Sequence, residues 1–332
     1  MTPPASTPAA KPAAKPHRFD ALDAARAAAL LAMAAYHALW DLGHLRLTPD
    51  TYAMSPAGKV AAHLIAGSFL VLVGIGLVLM NRDGIRWRPF LIRLARIGGA
   101  ALLITGATWF AFPQSYIFFG ILHCIALSSV LALPFLFVPA PLVALAAGLV
   151  IAAPHLVSHP LLDAPALFFL GLGSRLPQTN DYVPLFPWFG LVLAGVAAAR
   201  LAPAALARSR IGRWRAEARP ARLAVRAGRH SLAIYLVHQP LLLALLTGLA
   251  ALTGPHPRAG QSAFHAEYRA NCARTGGEAG ACRIAARCVS QALRREGLWA
   301  TSERSFTIGD RARAQGLSDA CYAAAEGTAA PP

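Results

Sequence analysis

The stretch FDALDAARAAALLAMAAYHALWDL, Phe19 to Leu42, decides how this chain is read. Most of it is apolar and long enough to cross a bilayer, which takes about 20 residues. It nevertheless carries Asp20, Asp23, Arg26, His37 and Asp41. Ionisable groups in hydrocarbon are costly and turn toward a bundle interior or a wet cavity. As a helix, the stretch makes Asp23 and Arg26 neighbours one turn apart at its start, and His37 and Asp41 neighbours one turn apart near its end. The reading is a transmembrane helix with a charged pair at each membrane face, a layout suited to chemistry carried from one side to the other. Arg26 and His37 are eleven residues apart, about 16 Å along a helix, so a compact site cannot touch both whereas an extended substrate can.

The rest of the chain fits that reading. Of its 332 residues 56% are hydrophobic and only 14% charged, too apolar for an ordinary soluble globule. Further apolar runs cover about 57–80, 89–112, 116–137, 141–157, 183–200 and 230–252. Segment 164–173 is only ten residues long, about 15 Å as a helix, and is expected to be re-entrant or interfacial. The fold class expected is all-α, a polytopic transmembrane helix bundle of about seven spans. The net charge of +16 does not mark nucleic-acid binding, because the arginines collect in loops beside apolar runs, where they set topology and meet anionic lipid headgroups. The basic N-terminal tail, the 81–88 loop and the 200–229 stretch, with nine Arg and one acid, Glu217, are therefore expected on the cytoplasmic side, with the C-terminus outside. Asp23 and Arg26 interrupt what would be the apolar part of a signal peptide, so the first span is expected to stay as an anchor.

Three divisions follow: a Pro/Ala/Lys-rich disordered cytoplasmic tail over 1–17, a membrane domain over 18–255, and a Cys-containing periplasmic helical segment over 256–328. Cys272, Cys282, Cys288 and Cys321 read as two disulfides in an exported segment. Cys282 and Cys288 lie about 9 Å apart on one expected helix, too far to join. That leaves 272–282 with 288–321, or 272–288 with 282–321. Zinc is the rival reading, although no C-x₂-C pair occurs.

Intramembrane histidines fall on four expected helices: His37, His63, His123 and His238. A satisfied interhelical hydrogen bond is the ordinary role of any one of them. His37 is the best candidate base, since a carboxylate one turn away, Asp41, can fix its tautomer and raise its basicity. His123 and His238 are candidates to line the same cavity, with Tyr235 beside His238. Arg26 is either a counter-ion to Asp23 or a ligand for phosphate at the cytoplasmic mouth. The DYVPLFPWFG opening of the sixth run leaves backbone groups unpaired, which is tolerated where they line a cavity. Trp188 in it is an interfacial anchor or a stacking platform.

RFDALDAARAAALLAMAAYHALWDL, DYVPLFPWFGLVLAG and GRHSLAIYLVHQP occur in that order over about Arg18 to Leu246. Together they resemble the bacterial branch of the heparan-α-glucosaminide N-acetyltransferase catalytic-domain family. The spacing of Arg26 and His37 is also similar to the Arg–His signature of the acyltransferase-3 membrane family, where the His serves catalysis and the Arg serves the acyl donor. The chain departs from the first family's pattern at Ala27, where Gly is usual, and around Ala53, where the lysosomal enzyme's active His would fall. The resemblance implies a bacterial inner-membrane acyltransferase with no permanently bound cofactor. It would take an acyl group from cytoplasmic acyl-CoA, chiefly acetyl-CoA, to a hydroxyl or amine of an envelope glycan. In that scheme His37, Asp41, His123 and His238 are catalytic, and Asp23, Arg26, Tyr235 and Trp188 serve the donor. The rivals are a membrane cytochrome with haem held by His pairs, and a non-enzymatic scaffold or transporter.

Overall fold

The computed structural model describes residues 19–201, 210–299 and 307–329; the 1–17 tail lies outside them. Among the described residues there are twelve α-helices and no β-strand. They are α1 (Asp20–His44), α2 (Pro56–Met80), α3 (Trp87–Ala111), α4 (Ile121–Leu131), α5 (Ala140–Leu156), α6 (Leu185–Leu201), α7 (Arg210–Arg213), α8 (Arg219–Arg229), α9 (Ser231–Thr253), α10 (Gln261–Arg274), α11 (Ala279–Arg295) and α12 (Ile308–Ala329). Three of them, α2, α3 and α9, are long and apolar enough to cross a membrane. Helices α4, α5 and α6 are apolar but shorter. Helix α1 matches the first three in length but is less apolar, because six Asp, Arg and His side chains interrupt it.

The chain divides into two compact units, and the division cuts across helices. One unit holds residues up to Leu31 together with Ile65–Ile234. Its core includes Leu70, Leu77, Val143, Val192, Leu193 and Val196, all essentially sealed from solvent. Helix α5 packs against α6 along most of its length. Helices α2 and α6 meet backbone to backbone. A Cβ at Gly74 would run into the Val192 carbonyl, and one at Gly195 into the Val71 carbonyl. Small residues permit such approach between membrane helices.

Helix α4 is shorter than the apolar run 116–137 implies. Residues 115–120 run extended beside 179–183: Asn180 N–H donates to Ser115 O at 2.9 Å, Val183 N–H to Phe119 O at 3.2 Å, and Phe119 bridges Tyr182. The helix starts only at Ile121, whose N–H donates to Asp181 Oδ2 at 3.0 Å. A distant carboxylate thus satisfies one of the orphan donors of the first turn. Pro134 ends the run in a 3₁₀ turn. The carbonyls exposed there accept from Arg200 at the end of α6, Phe135 O at 2.9 Å and Val138 O as well. Segment 164–173 is not an α-helix either. It holds a six-residue 3₁₀ stretch, Pro165–Leu170, stopped at Gly171 with φ of 79°, a left-handed conformation that suits glycine.

The other unit comprises Ala32–Leu64 and the residues from Tyr235 onward. Its C-terminal part is a three-helix module, α10 to α12. Val289, Leu293, Leu298 and Cys321 form its core, with Phe264, Tyr268 and Trp299 packed against them. Helix α11 starts where Glu278 Oε2 accepts from Ala281 N–H at 2.8 Å. Three hydrogen bonds tie the module's leading edge to the loop after α1. His256 N–H donates to Arg46 O at 2.8 Å, Gly260 N–H to Pro49 O at 3.1 Å, and Arg46 Nη2 to Ala259 O at 3.4 Å.

The disulfides are Cys272–Cys282 and Cys288–Cys321, so the first of the two admissible pairings is the one formed. Cys124 is free and buried. The bonds close loops of 10 and 33 residues, which on loop-entropy grounds stabilise by about 3 and about 4 kcal/mol. Cys288→Ser is therefore expected to lower the module's stability more than Cys272→Ser. Chemical denaturation followed by hydrogen exchange over α10 to α12 checks the order, and a reversed order would defeat the loop-length account.

Candidate functional site

The two ends of α1 carry two polar clusters, one in each compact unit. In the first unit, Asp23 is buried at 8% exposure although carboxylates are rarely buried unless paired. Its partners are two arginines. Arg26 Nη1 donates to Oδ1 at 2.5 Å, and Arg229 Nε to Oδ2 at 3.2 Å. Arg229 Nη2 reaches on to Asp20 Oδ1 at 3.1 Å, and Asp20 Oδ2 accepts the N–H of Ala216 at 3.3 Å. Arg229 comes from the end of α8, which lies directly on α1 because residue 228 is glycine. A Cβ there would strike the backbone carbonyl of Asp23. Arg93 of α3 lies within electrostatic range of Arg26. Asp20, Asp23, Arg26 and Arg229 balance in charge, so Arg93 leaves the surroundings cationic. Arg26 is thus first the counter-ion of Asp23; its remaining donors and those of Arg93 are what an anion can use.

The second cluster joins α1 to α9 within the other unit. The rings of His37 and His238 lie 5.1 Å apart, centroid to centroid. Tyr235 flanks His238 at 5.7 Å, and Tyr36 flanks His37 at 6.0 Å. His238 Nδ1 is 2.7 Å from the Tyr235 carbonyl, which can only accept, so Nδ1 carries a proton and in the neutral ring Nε2 holds the lone pair. Among the described residues His37 forms ring contacts and no hydrogen bond. Asp41 does not turn to His37. It is sealed from solvent at 0% exposure, and its Oδ1 accepts from Gln239 Nε2 at 2.8 Å. Asp41 Oδ2 and Gln239 Oε1 are buried and have no hydrogen-bond partner among the described residues. Two unpartnered buried oxygens beside an imidazole pair are expensive to keep.

The remaining candidates divide. His123 sits in the first unit with both ring nitrogens engaged. Gly120 N–H donates to Nδ1 at 3.3 Å, and Nε2 lies 3.1 Å from Thr105 Oγ1, which itself donates to Ile117 O at 2.7 Å. Because the threonine proton is committed, Nε2–H must donate, and the ring is a satisfied link between α3 and α4. His123 thus does not join the imidazole pair. His63 is exposed and bonds the Lys59 carbonyl through Nδ1 at 2.7 Å. Trp188 is half-buried just after a kink at Phe186 that opens α6. Among the described residues no three of His, Cys, Asp or Glu converge closely enough to hold a metal ion. Gln239 and Arg229 are the members of these clusters that the sequence pattern does not single out. Both lie in the GRHSLAIYLVHQP segment, next to His230 and His238.

Apolar helices built around inward-turned ionisable groups define a membrane protein with internal polar sites. A protein-family model described as "Heparan-alpha-glucosaminide N-acetyltransferase, catalytic" matches residues 18–240, and the chain belongs to that family. No curated protein and no solved structure matches it. The family match covers both polar clusters and stops before the disulfide-bonded module.

Proposed function

We propose that this protein is an integral membrane acyltransferase that moves an acetyl group from cytoplasmic acetyl-CoA to a hydroxyl or amine of an envelope glycan in the bacterial inner membrane. The observation that carries the reading is the His37–His238 pair, set beside the Asp41–Gln239 hydrogen bond with two buried oxygens still open. Seven spans with the N-terminus inside follow from the distribution of Lys and Arg, and the two disulfides favour an oxidising compartment for the C-terminal module.

In this mechanism His37 removes the proton of the acceptor as it attacks the thioester carbonyl. The acceptor oxygen or nitrogen forms the new bond to the acyl carbon, and the C–S bond breaks to release CoA thiolate. His238, held as its Nδ1–H tautomer by Tyr235, is the neighbouring ring that orients the base. Asp41 and Gln239 position this end of α1 against α9. Arg26, Arg93 and the basic stretch before α9 bind the phosphates of the donor, a role guanidinium groups suit by geometry. Trp188 and Tyr235 are further candidates to serve the donor, and Asp23 keeps Arg26 in place.

Proteoliposomes loaded with labelled acetyl-CoA and bathed in glucosamine, an amine probe, test the reading. Labelled N-acetylglucosamine is expected outside. If no label reaches the sugar and envelope glycans of a deletion strain keep their full acetyl content, the reading fails.

A further inference from the structure

The disulfide-bonded module carries a second polar feature that acyl transfer does not use. A cavity of about 240 Å³ opens between α10 and α11, lined by Ser262, His265, Arg269, Arg283, Ala286 and Arg287. His265 and Arg269 are one turn apart on α10, and Arg283 and Arg287 are one turn apart on α11, so each helix turns two basic groups to the same space. No acidic residue lines it. Like charges at this spacing repel, and Arg283 and Arg287 make such a pair, with Arg269 lining the same cavity.

Two of the lining groups, Arg269 and His265, are also held in place. Arg269 Nε donates to the His265 carbonyl at 3.1 Å, which fixes its guanidinium while leaving the terminal nitrogens available. Ser290 is fully buried and donates through Oγ to Arg287 O at 3.0 Å. Its proton is therefore committed, and His265 Nε2, 2.8 Å away, must be the donor to Ser290 Oγ. Burial, Arg269 and Arg287 together hold the His265 imidazole below its usual range. A second groove of about 310 Å³ continues from Arg269 and Arg283 along Ala266, Ala270, Ala273 and Ala279. A charged end thus leads into an alanine-lined trough.

We propose that this is a phosphate-binding site, in which the guanidiniums of Arg269, Arg283 and Arg287 clasp the phosphate group of a phosphate ester and the alanine-lined groove receives the rest of the ligand. A carboxylate is matched by one bidentate arginine, whereas a tetrahedral dianion offers enough acceptor oxygens for three. The phosphate can belong to a soluble ester or to a lipid headgroup, and the shared chemistry is the same. The site lies outside the family match, and it stands whether or not acyl transfer is the activity.

The test uses the full-length protein in phosphatidylcholine nanodiscs, titrated with inorganic phosphate by calorimetry. Wild type is expected to bind. Arg283→Ala/Arg287→Ala is expected to bind at least about tenfold more weakly, since charge-assisted contacts are the strong ones. Arg313→Ala on α12, an exposed arginine that does not line the cavity, is expected to bind as wild type does. Both altered side chains of the double variant are exposed, so its fold is expected to hold, and unchanged hydrogen exchange over α10 to α12 confirms that. Repeating the titration with phosphatidylglycerol in the disc separates the sources. A weakened phosphate affinity identifies a lipid headgroup as occupant, an unchanged one a soluble ester, and both support the site. No binding by wild type, or equal affinity in wild type and the double variant, overturns it.

Discussion

Replacing His37 with alanine is expected to reduce acetyl transfer by about 10²–10⁴-fold, the range supplied by a positioned general base. The substitution removes an imidazole that is half-buried and engaged only through its ring, with Tyr36 and His238 as neighbours. Ring contacts of this kind are worth about 0.5–1.5 kcal/mol, so the protein should fold and elute as wild type does. His238→Ala is expected to cost a similar factor, and the double variant little more than either alone, because residues acting as a unit do not add. Asp41→Asn separates positioning from proton transfer. The amide oxygen still accepts from Gln239, so kcat should fall by less than in His37→Ala. Transfer rates in proteoliposomes decide the matter. A folded His37→Ala protein with an undiminished rate would remove that residue from the chemistry.

At the other end of α1, Asp23→Ala should damage stability before it damages chemistry. It strips the carboxylate from two guanidiniums at once, Arg26 at 2.5 Å and Arg229 at 3.2 Å. Breaking a buried ion pair by removing one partner costs roughly 3–5 kcal/mol. Both arginines keep part of their surface in contact with solvent, at 30% and 39% side-chain exposure, which points to the low end, about 3 kcal/mol. Asp23→Asn should be milder, since it keeps the acceptor oxygen while losing the charge. Unfolding titrations in mixed detergent measure both. If Asp23→Ala unfolds at the wild-type midpoint, the cluster is a loose surface bridge and α8 does not depend on it.

The long helices were legible in the sequence because uninterrupted apolar runs and the loops between them mark their own ends. Helices α2, α3 and α9 fall within two residues of the runs 57–80, 89–112 and 230–252. The start of α4 was not legible. Five residues of its apolar run are drawn into an extended pairing with 179–183, a tertiary effect that composition does not carry. The same limit applies to the site. Spacing alone made Asp23 and Arg26 partners and put His37 near Asp41, because helical neighbours are a local property. It could not show that Asp41 would prefer Gln239, nearly two hundred residues away, or that Arg229 would complete the Asp23 cluster. Spacing excluded a bond between Cys282 and Cys288, but only the packing of α10 to α12 chose between the two pairings left.

The backbone contact between α2 and α6 bears on how the protein behaves outside a membrane. Lipid tails are as apolar as leucine side chains, so two helices gain little by hiding apolar surface from them. What joins α2 to α6 is the approach permitted at Gly74 and Gly195, a matter of dispersion and weak Cα–H···O contacts, and neither depends on what solvates the outer faces. Exchanging lipid for detergent should therefore leave this seam closed. Activity lost on extraction would trace to the polar clusters or to missing lipid, and not to the parting of these two helices.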